Sequence, residues 1–279
     1  MVVLVTGGNG QLGQALRQTA QFHTGIEFIF VTSGELDICD AAMVLEKFDR
    51  YRPDFCINTA AYTAVDKAEI EPEIAFKVNA DGVANLAAAC LHSGCTLIQI
   101  STDFVFDGSQ SSPYTEKDTP NPLNVYGTSK LAGEFNAAKT PKHFIVRTSW
   151  VYSDFGNNFY KTMLRLAREK DSLTIVNDQR GTPTFAPDLA SALIQIIKSG
   201  SDAFGTYHYS NLGEATWFDF AKEIFVKNSI AIDLQPVPTS AFPTAATRPR
   251  YSVLDKSKII ETFGLVIRQW QDAIQGIIS

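Results

Sequence analysis

Short apolar runs rich in Val, Ile and Phe punctuate the first half of the chain. Each is followed by a longer stretch whose apolar residues recur every third or fourth position. VVLVT at 2–6 is unbroken and suits a strand buried on both faces. The next stretch, 10–21, places Leu12, Ala15, Leu16 and Thr19 at helical spacing, and EFIFVT at 27–32 returns to strand character. The alternation continues with a helix near 41–51, a strand at 55–60, a helix near 73–92, a strand at 96–102, a helix near 124–139 and a strand at 143–149. Strands alternating with helices predict an α/β protein with a Rossmann-type, doubly wound parallel sheet.

Beyond about residue 150 the rhythm loosens into Pro-containing segments, DQRGTPTFAPD and PVPTSAFPTAATRPRYS. This predicts a dinucleotide-binding domain over 1–150 and a smaller, mainly substrate-binding domain over 151–279, with a soft, interleaved boundary. A chain of 279 residues is long enough for both.

Composition narrows the partners. The chain carries a net charge of −6 and no dense cluster of Lys and Arg, so nucleic acid is not an expected partner. The amino terminus, MVVLVTGGNG, runs straight from six apolar or small residues into glycines, which predicts neither a signal peptide nor a membrane span. A cytoplasmic protein is the expectation. Cys39, Cys56, Cys90 and Cys95 lack C-x-x-C spacing and are expected to be reduced thiols, and the four scattered histidines predict no intrinsic metal site.

Two motifs carry chemistry. TGGNGQLG sets Gly7, Gly10 and Gly13 at G-x-x-G-x-x-G spacing between a strand and a helix, where close backbone approach and free helix N–H groups favour a dinucleotide pyrophosphate. The acidic residue expected at the end of the second strand is absent, because Val31, Thr32, Ser33 and Gly34 stand there. A carboxylate at that point would hold a ribose 2′-hydroxyl and repel a 2′-phosphate, so the reading leans to NADPH or dual use. Asp37 and Ile38 are placed at the adenine.

The second motif is YGTSK, in which Tyr126 and Lys130 share one helix face behind QISTDFVFDG, a strand end that delivers Thr102 and Asp103. The combination resembles the extended short-chain dehydrogenase/reductases. A phenol titrating near 10 needs a nearby cation to exchange a proton at neutral pH, and Lys130 one turn away, with the oxidised nicotinamide nearby, is expected to supply it. In that constellation Tyr126 is the proton donor, Lys130 also binds the nicotinamide ribose, and Thr102 hydrogen-bonds the substrate oxygen.

Further stretches, NTAAYTAVDKAE, NPLNVYGTSKLAGE, RTSWVYSDFGNNF, NDQRGTPT and VPTSAFPTAATRPRYSVLD, resemble the dTDP-4-dehydrorhamnose reductase family over nearly the whole chain. The resemblance implies NADPH- or NADH-dependent reduction of the C4 ketone of a nucleotide-linked 6-deoxyhexose. It places Gly10, Gln11 and Leu12 at the pyrophosphate, Ala60, Ala61 and Tyr62 along the cofactor, and Thr63, Val65 and Asp66 in the adjoining substrate loop. Thr102, Asp103 and Trp150 would face the sugar, with Asn157 or Asn158 nearby. Arg248, with Arg250, would neutralise the substrate diphosphate through its guanidinium fork. Gln14 and Ala15 stand where some relatives carry a glutamate that helps bind magnesium at a dimer interface, so no metal is carried over, and a homodimer is left open. Two rivals stand beside this reading: another nucleotide-sugar reductase or epimerase, and a non-catalytic regulatory subunit of a methionine adenosyltransferase.

Overall fold

The computed structural model describes residues 1–274. Its first half follows the expected alternation: β1 (Val2–Thr6), α1 (Gln11–Ala20), β2 (Glu27–Phe30), α2 (Ala41–Tyr51) and β3 (Phe55–Asn58). Next come a short α3 (Val65–Ala68), α4 (Pro72–Phe76), α5 (Gly82–Ser93), β4 (Thr96–Thr102), α6 (Val125–Ala137) and β5 (His143–Thr148). The second half holds β6 (Val151–Tyr152), α7 (Phe159–Glu169), β7 (Ser172–Val176), β8 (Arg180–Gly181), β9 (Thr184–Phe185) and α8 (Ala186–Ser199). It ends with β10 (Gly205–His208), β11 (Ala215–Thr216), α9 (Trp217–Lys227), β12 (Asp233–Val237), α10 (Ser257–Phe263) and α11 (Trp270–Ile274).

The main sheet has six parallel strands in the order β10-β5-β4-β3-β1-β2. Strand order reverses between β1 and β3, so the crevice at the carboxyl ends of those strands is where such a sheet takes its ligand. One face is covered by α1 and α8, the other by α2, α5 and α6, with Val3, Ile57 and Ile98 pointing to the first and Leu4, Cys56 and Leu97 to the second. A separate cluster, built on Tyr152, Tyr160, Phe185, Phe220 and Trp270, forms the core of the second half. Two members of the main layer come from that half: α8 packs on α1, and β10 pairs with β5.

The helix expected over 73–92 is interrupted. Between α4 and α5, residues Lys77–Asp81 form a π-helical turn, a local widening that often accompanies functional sites. It turns Asn79 inward, where its amide donates to the Tyr62 carbonyl at 3.0 Å and to the Ser129 hydroxyl at 2.9 Å, and its oxygen accepts the Tyr62 N–H at 2.9 Å. A Cβ at Gly133 would collide with the Asn79 carbonyl, so α6 lies directly on the widened turn. The loop after β3 is thereby tied to the helix that carries Tyr126. By length and composition Pro72–Ser93 could cross a membrane, yet half of its most apolar window is buried inside this fold. The four cysteines are free thiols, three of them buried.

Candidate active site

The ends of β1, β3, β4 and β5 open into one cleft of about 500 Å³. Gly10, Gln11 and Leu12 line its floor beside β1, Ala60, Ala61 and Thr63 follow β3, and Thr102 and Asp103 follow β4. Tyr126 and Lys130 enter from α6, and Trp150, Asn157 and Asn158 from the segment after β5. Six stretches, the outermost 149 positions apart in the chain, thus share one cavity.

At the floor, α1 begins at Gln11 with Gly10 as its N-cap, and no side chain caps the free N–H groups. Gly7 has φ of 66°, and a Cβ there would lie 2.7 Å from the Ala60 nitrogen. A Cβ at Gly13 would lie 2.5 Å from the Gly7 carbonyl and 2.8 Å from the Gly8 Cα. At Gly10 the same atom would meet only the Gly7 carbonyl, at 3.1 Å, which leaves open space above the helix end. An uncapped helix terminus beneath open space fits a dinucleotide pyrophosphate. Gly13→Ala forces backbone against backbone, and an overpacking cost of about 1–3 kcal/mol, felt at the loop, corresponds to about 5- to 150-fold weaker NADPH and NADH binding. Fluorescence titration of the dinucleotides checks it.

Beneath the cleft a chain of buried amides ties the strand ends together. Thr6 donates to Asn58 at 2.6 Å, Asn58 to Gln99 at 2.8 Å, and Gln99 to the Ile100 carbonyl at 2.8 Å. The same carbonyl accepts the Lys130 ammonium at 2.6 Å. Burial pushes the Lys130 amine down to about 8, with Glu134 acting in the opposite sense.

The phenol differs from the sequence expectation. Burial pushes Tyr126 up to about 12, the facing Thr102 hydroxyl favours the ionised form, and the Asp103 charge disfavours it. The Lys130 charge is pinned to a backbone carbonyl and does not bring the phenol down. Phe104 lies edge-on to Tyr126, 5.9 Å between centroids, and packs against one side of its ring. The neutral phenol that results is the form that can give a proton. Asp103 is also fully enclosed: burial pushes its carboxyl up to about 7, against hydrogen bonds from Ser252 and Thr102.

The remaining sequence-predicted positions are distributed as follows. Gln11 accepts a hydrogen bond from the Asn158 amide at 2.7 Å and donates to the Val151 carbonyl at 3.0 Å, joining the glycine loop to the far wall. Asn158 also caps α7. Tyr62 lies outside the cleft lining and donates to Glu71 at 2.8 Å. Asp37 is exposed, while Ile38 is buried against Gly82 in the core rather than presented to the crevice. A carboxylate is brought to the end of β2 from one turn further on, since Glu35 accepts the Thr32 N–H at 2.8 Å and its hydroxyl at 2.9 Å. Arg248 grips Asp66 through both nitrogens, at 2.6 and 3.1 Å, so two expected substrate ligands are paired with each other; the Arg250 side chain is exposed. Val65 begins α3, one residue before Asp66.

Trp150 has φ of 45° and lies flat on Trp217, 3.6 Å between ring centroids and 8° between planes. Gly181 also packs on the Trp150 ring, where a Cβ would lie 2.6 Å from Cε2. The tryptophan pair forms a partition. Trp150 faces the catalytic cleft, and Trp217 lines an apolar groove of about 600 Å³ with Phe159, Met163, Leu166, Val176 and Phe242, bordered by Arg248. Sequence reasoning missed Trp217, Phe159 and Ser252; only the Trp217 position, capped by a Thr-x-x-Asp box in TWFD, left a local signal, and that signal was a helix start.

The model of the RmlD substrate binding domain family matches residues 1–279. A dTDP-4-dehydrorhamnose reductase of Aggregatibacter actinomycetemcomitans is 42% identical over 99% of this chain and 97% of its own length. Among solved structures, a dTDP-4-dehydrorhamnose reductase of Bacillus anthracis in complex with NADP superposes with a TM-score of 0.94 at 39% identity, covering 98% of this chain and 97% of its own. The UDP-glucose 4-epimerase of Thermus thermophilus, in complex with NAD, has a TM-score of 0.81 at 21% identity over the full length of both chains, a likeness of fold.

Proposed function

This chain belongs to the dTDP-4-dehydrorhamnose reductase family, and we propose that its cleft reduces the C4 ketone of dTDP-4-dehydro-L-rhamnose to dTDP-L-rhamnose. Bound NAD(P)H supplies the hydride. The observation that carries the reading is the Tyr126 phenol, presented to the cleft and facing the Thr102 hydroxyl at the end of β4, with Lys130 one turn behind it.

As the carbonyl carbon takes the hydride, negative charge grows on its oxygen. Tyr126 protonates that oxygen, and Thr102 donates a hydrogen bond to it as charge develops. Lys130, one helical turn behind the phenol, keeps its ammonium on the Ile100 carbonyl and would reach the nicotinamide ribose. Gly10, Gln11 and the free N–H groups of α1 would hold the dinucleotide pyrophosphate, with Trp150 on the opposite wall of the cleft. On this reading the apolar groove beyond Trp217 takes the thymidine, and Arg248 stands where the diphosphate passes between groove and cleft. A dehydratase would place a second carboxylate after Asp103; Phe104 stands there and supports simple reduction.

The test is oxidation of NADPH and of NADH with enzymatically generated dTDP-4-dehydro-L-rhamnose. Turnover with either donor supports the proposal, and absence of turnover despite dinucleotide binding rejects it. Trp217→Ala is expected to raise the KM for the sugar nucleotide about tenfold, the loss of roughly one aromatic stack, with dinucleotide affinity unchanged.

A further inference from the structure

The segment 247–254 crosses the back of the cleft and is held there by backbone. Arg180 N–H donates to the Arg250 carbonyl at 2.8 Å, Ser252 N–H to the Arg180 carbonyl at 2.8 Å, and Tyr114 N–H to the Val253 carbonyl at 2.8 Å. The segment also abuts the loop after β4, where a Cβ at Gly108 would lie 2.7 Å from the Arg250 nitrogen. This ladder delivers one side chain to the catalytic strand end. The Ser252 hydroxyl, 2% exposed as a residue, donates to Asp103 Oδ2 at 2.6 Å.

Asp103 Oδ1 is 3.2 Å from Thr102 Oγ1, and Thr102 Oγ1 also accepts the Phe104 N–H at 3.2 Å. A hydroxyl has one proton to give and two lone pairs with which to accept. If Asp103 is ionised, the Thr102 proton points to Oδ1 and is withheld from the cleft. If Asp103 is neutral with its proton on Oδ1, it donates to Thr102 Oγ1, whose own proton is then free for a ketone oxygen. Ser252 decides which oxygen carries the proton, because the oxygen that already accepts its hydrogen bond is the carbonyl oxygen.

We propose that Ser252 is a positioning residue for the reduction: by donating to Asp103 Oδ2 it keeps the acid proton on Oδ1 and so turns the Thr102 hydroxyl into a donor toward the substrate carbonyl. The inference rests on the ketone reduction proposed above. The side chains facing the carboxyl are Thr102 on β4, Tyr126 on α6 and Ser252 on the crossing segment, of which the phenol is titratable. Enclosure of the carboxyl keeps its neutral form populated near neutral pH.

Ser252→Ala leaves the backbone ladder in place, and Ser252→Thr restores the hydroxyl. Steady-state rates, dinucleotide titrations and thermal unfolding are compared for both, together with the infrared C=O stretch of the ligand-free protein, assigned through its loss in Asp103→Asn. The expected result for Ser252→Ala is a kcat lowered at least tenfold, with KM and dinucleotide Kd within twofold and a shifted Asp103 band; Ser252→Thr recovers most of the rate and the original band. Wild-type kcat in Ser252→Ala overturns the inference, as does a loss of kcat, affinity and melting temperature together that threonine fails to rescue. If the intact protein turns over no sugar nucleotide, the reductase reading fails on its own, and the infrared band still decides the Ser252 contact: an unmoved band overturns it.

Discussion

Tyr126→Phe is expected to lower kcat for the 4-keto sugar nucleotide by about 10²–10⁴, the usual contribution of a positioned general acid, while dinucleotide Kd stays within twofold. The substitution removes one oxygen and keeps the ring that meets Phe104 edge-on, so the surrounding packing survives. Thr102 and Lys130 remain in place, but neither supplies the missing proton: Thr102 has an ordinary hydroxyl, and the Lys130 ammonium is committed to the Ile100 carbonyl. Stopped-flow NADPH oxidation separates the hydride step from product release. A variant that keeps more than a tenth of the wild-type rate would mean that another group donates the proton.

Arg147→Met is expected to lower the free energy of unfolding by about 3–5 kcal/mol, the range for breaking a buried ion pair from one side. Arg147 on β5 holds Glu134 on α6 through both nitrogens, at 2.9 and 2.7 Å, and both side chains are almost wholly buried. Ser101 on β4 adds a 2.5 Å hydrogen bond to the same carboxylate. The other neighbour in reach, His208 on β10, stands 3.4 Å from Arg147 Nη1 and cannot compensate charge, because burial and the guanidinium together push its imidazole down to about 3. Methionine fills much of the arginine volume, so the loss is chiefly that of leaving the buried Glu134 without its bidentate partner. The double variant Arg147→Met, Glu134→Leu should therefore recover part of the stability, the remainder being the carboxylate that Lys130 loses, and urea unfolding of the three proteins decides it. Equal losses in the single and double variants would show that packing rather than charge accounts for the effect.

The parallel sheet was legible because its strands carry a local signature: VVLVT, FCIN and TLIQIST are apolar runs bounded by glycine or polar turns, and each forms a strand. The glycine loop and the Tyr126–Lys130 spacing were legible for the same reason, since residues within one turn meet whatever the rest of the chain does. Contacts between distant segments leave no such mark. Nothing near Ser252 announces that it will meet Asp103, 149 positions away. Arg248 was read as free for a diphosphate, but the fold brings Asp66 to it across 182 positions. The π turn at Lys77–Asp81 was read as ordinary helix because one extra residue per turn barely disturbs apolar spacing. Lys130 was expected to depress the phenol of Tyr126, and its pairing with the Ile100 carbonyl depends on how close β4 passes to α6.

Strand β10 has a consequence for how the chain is made. It is the outermost strand on the β5 side, and it reaches the sheet only after everything between Thr148 and Gly205 has been laid down. Until then a chain emerging from the ribosome presents β5 as an open edge, with hydrogen-bonding groups unpaired beside the apolar Phe144 and Val146. Such an edge invites pairing with a neighbouring nascent chain. The vulnerable interval of biosynthesis therefore falls late, after the glycine loop and the tyrosine helix have been translated, and closes when a segment from the second half of the chain completes the main sheet.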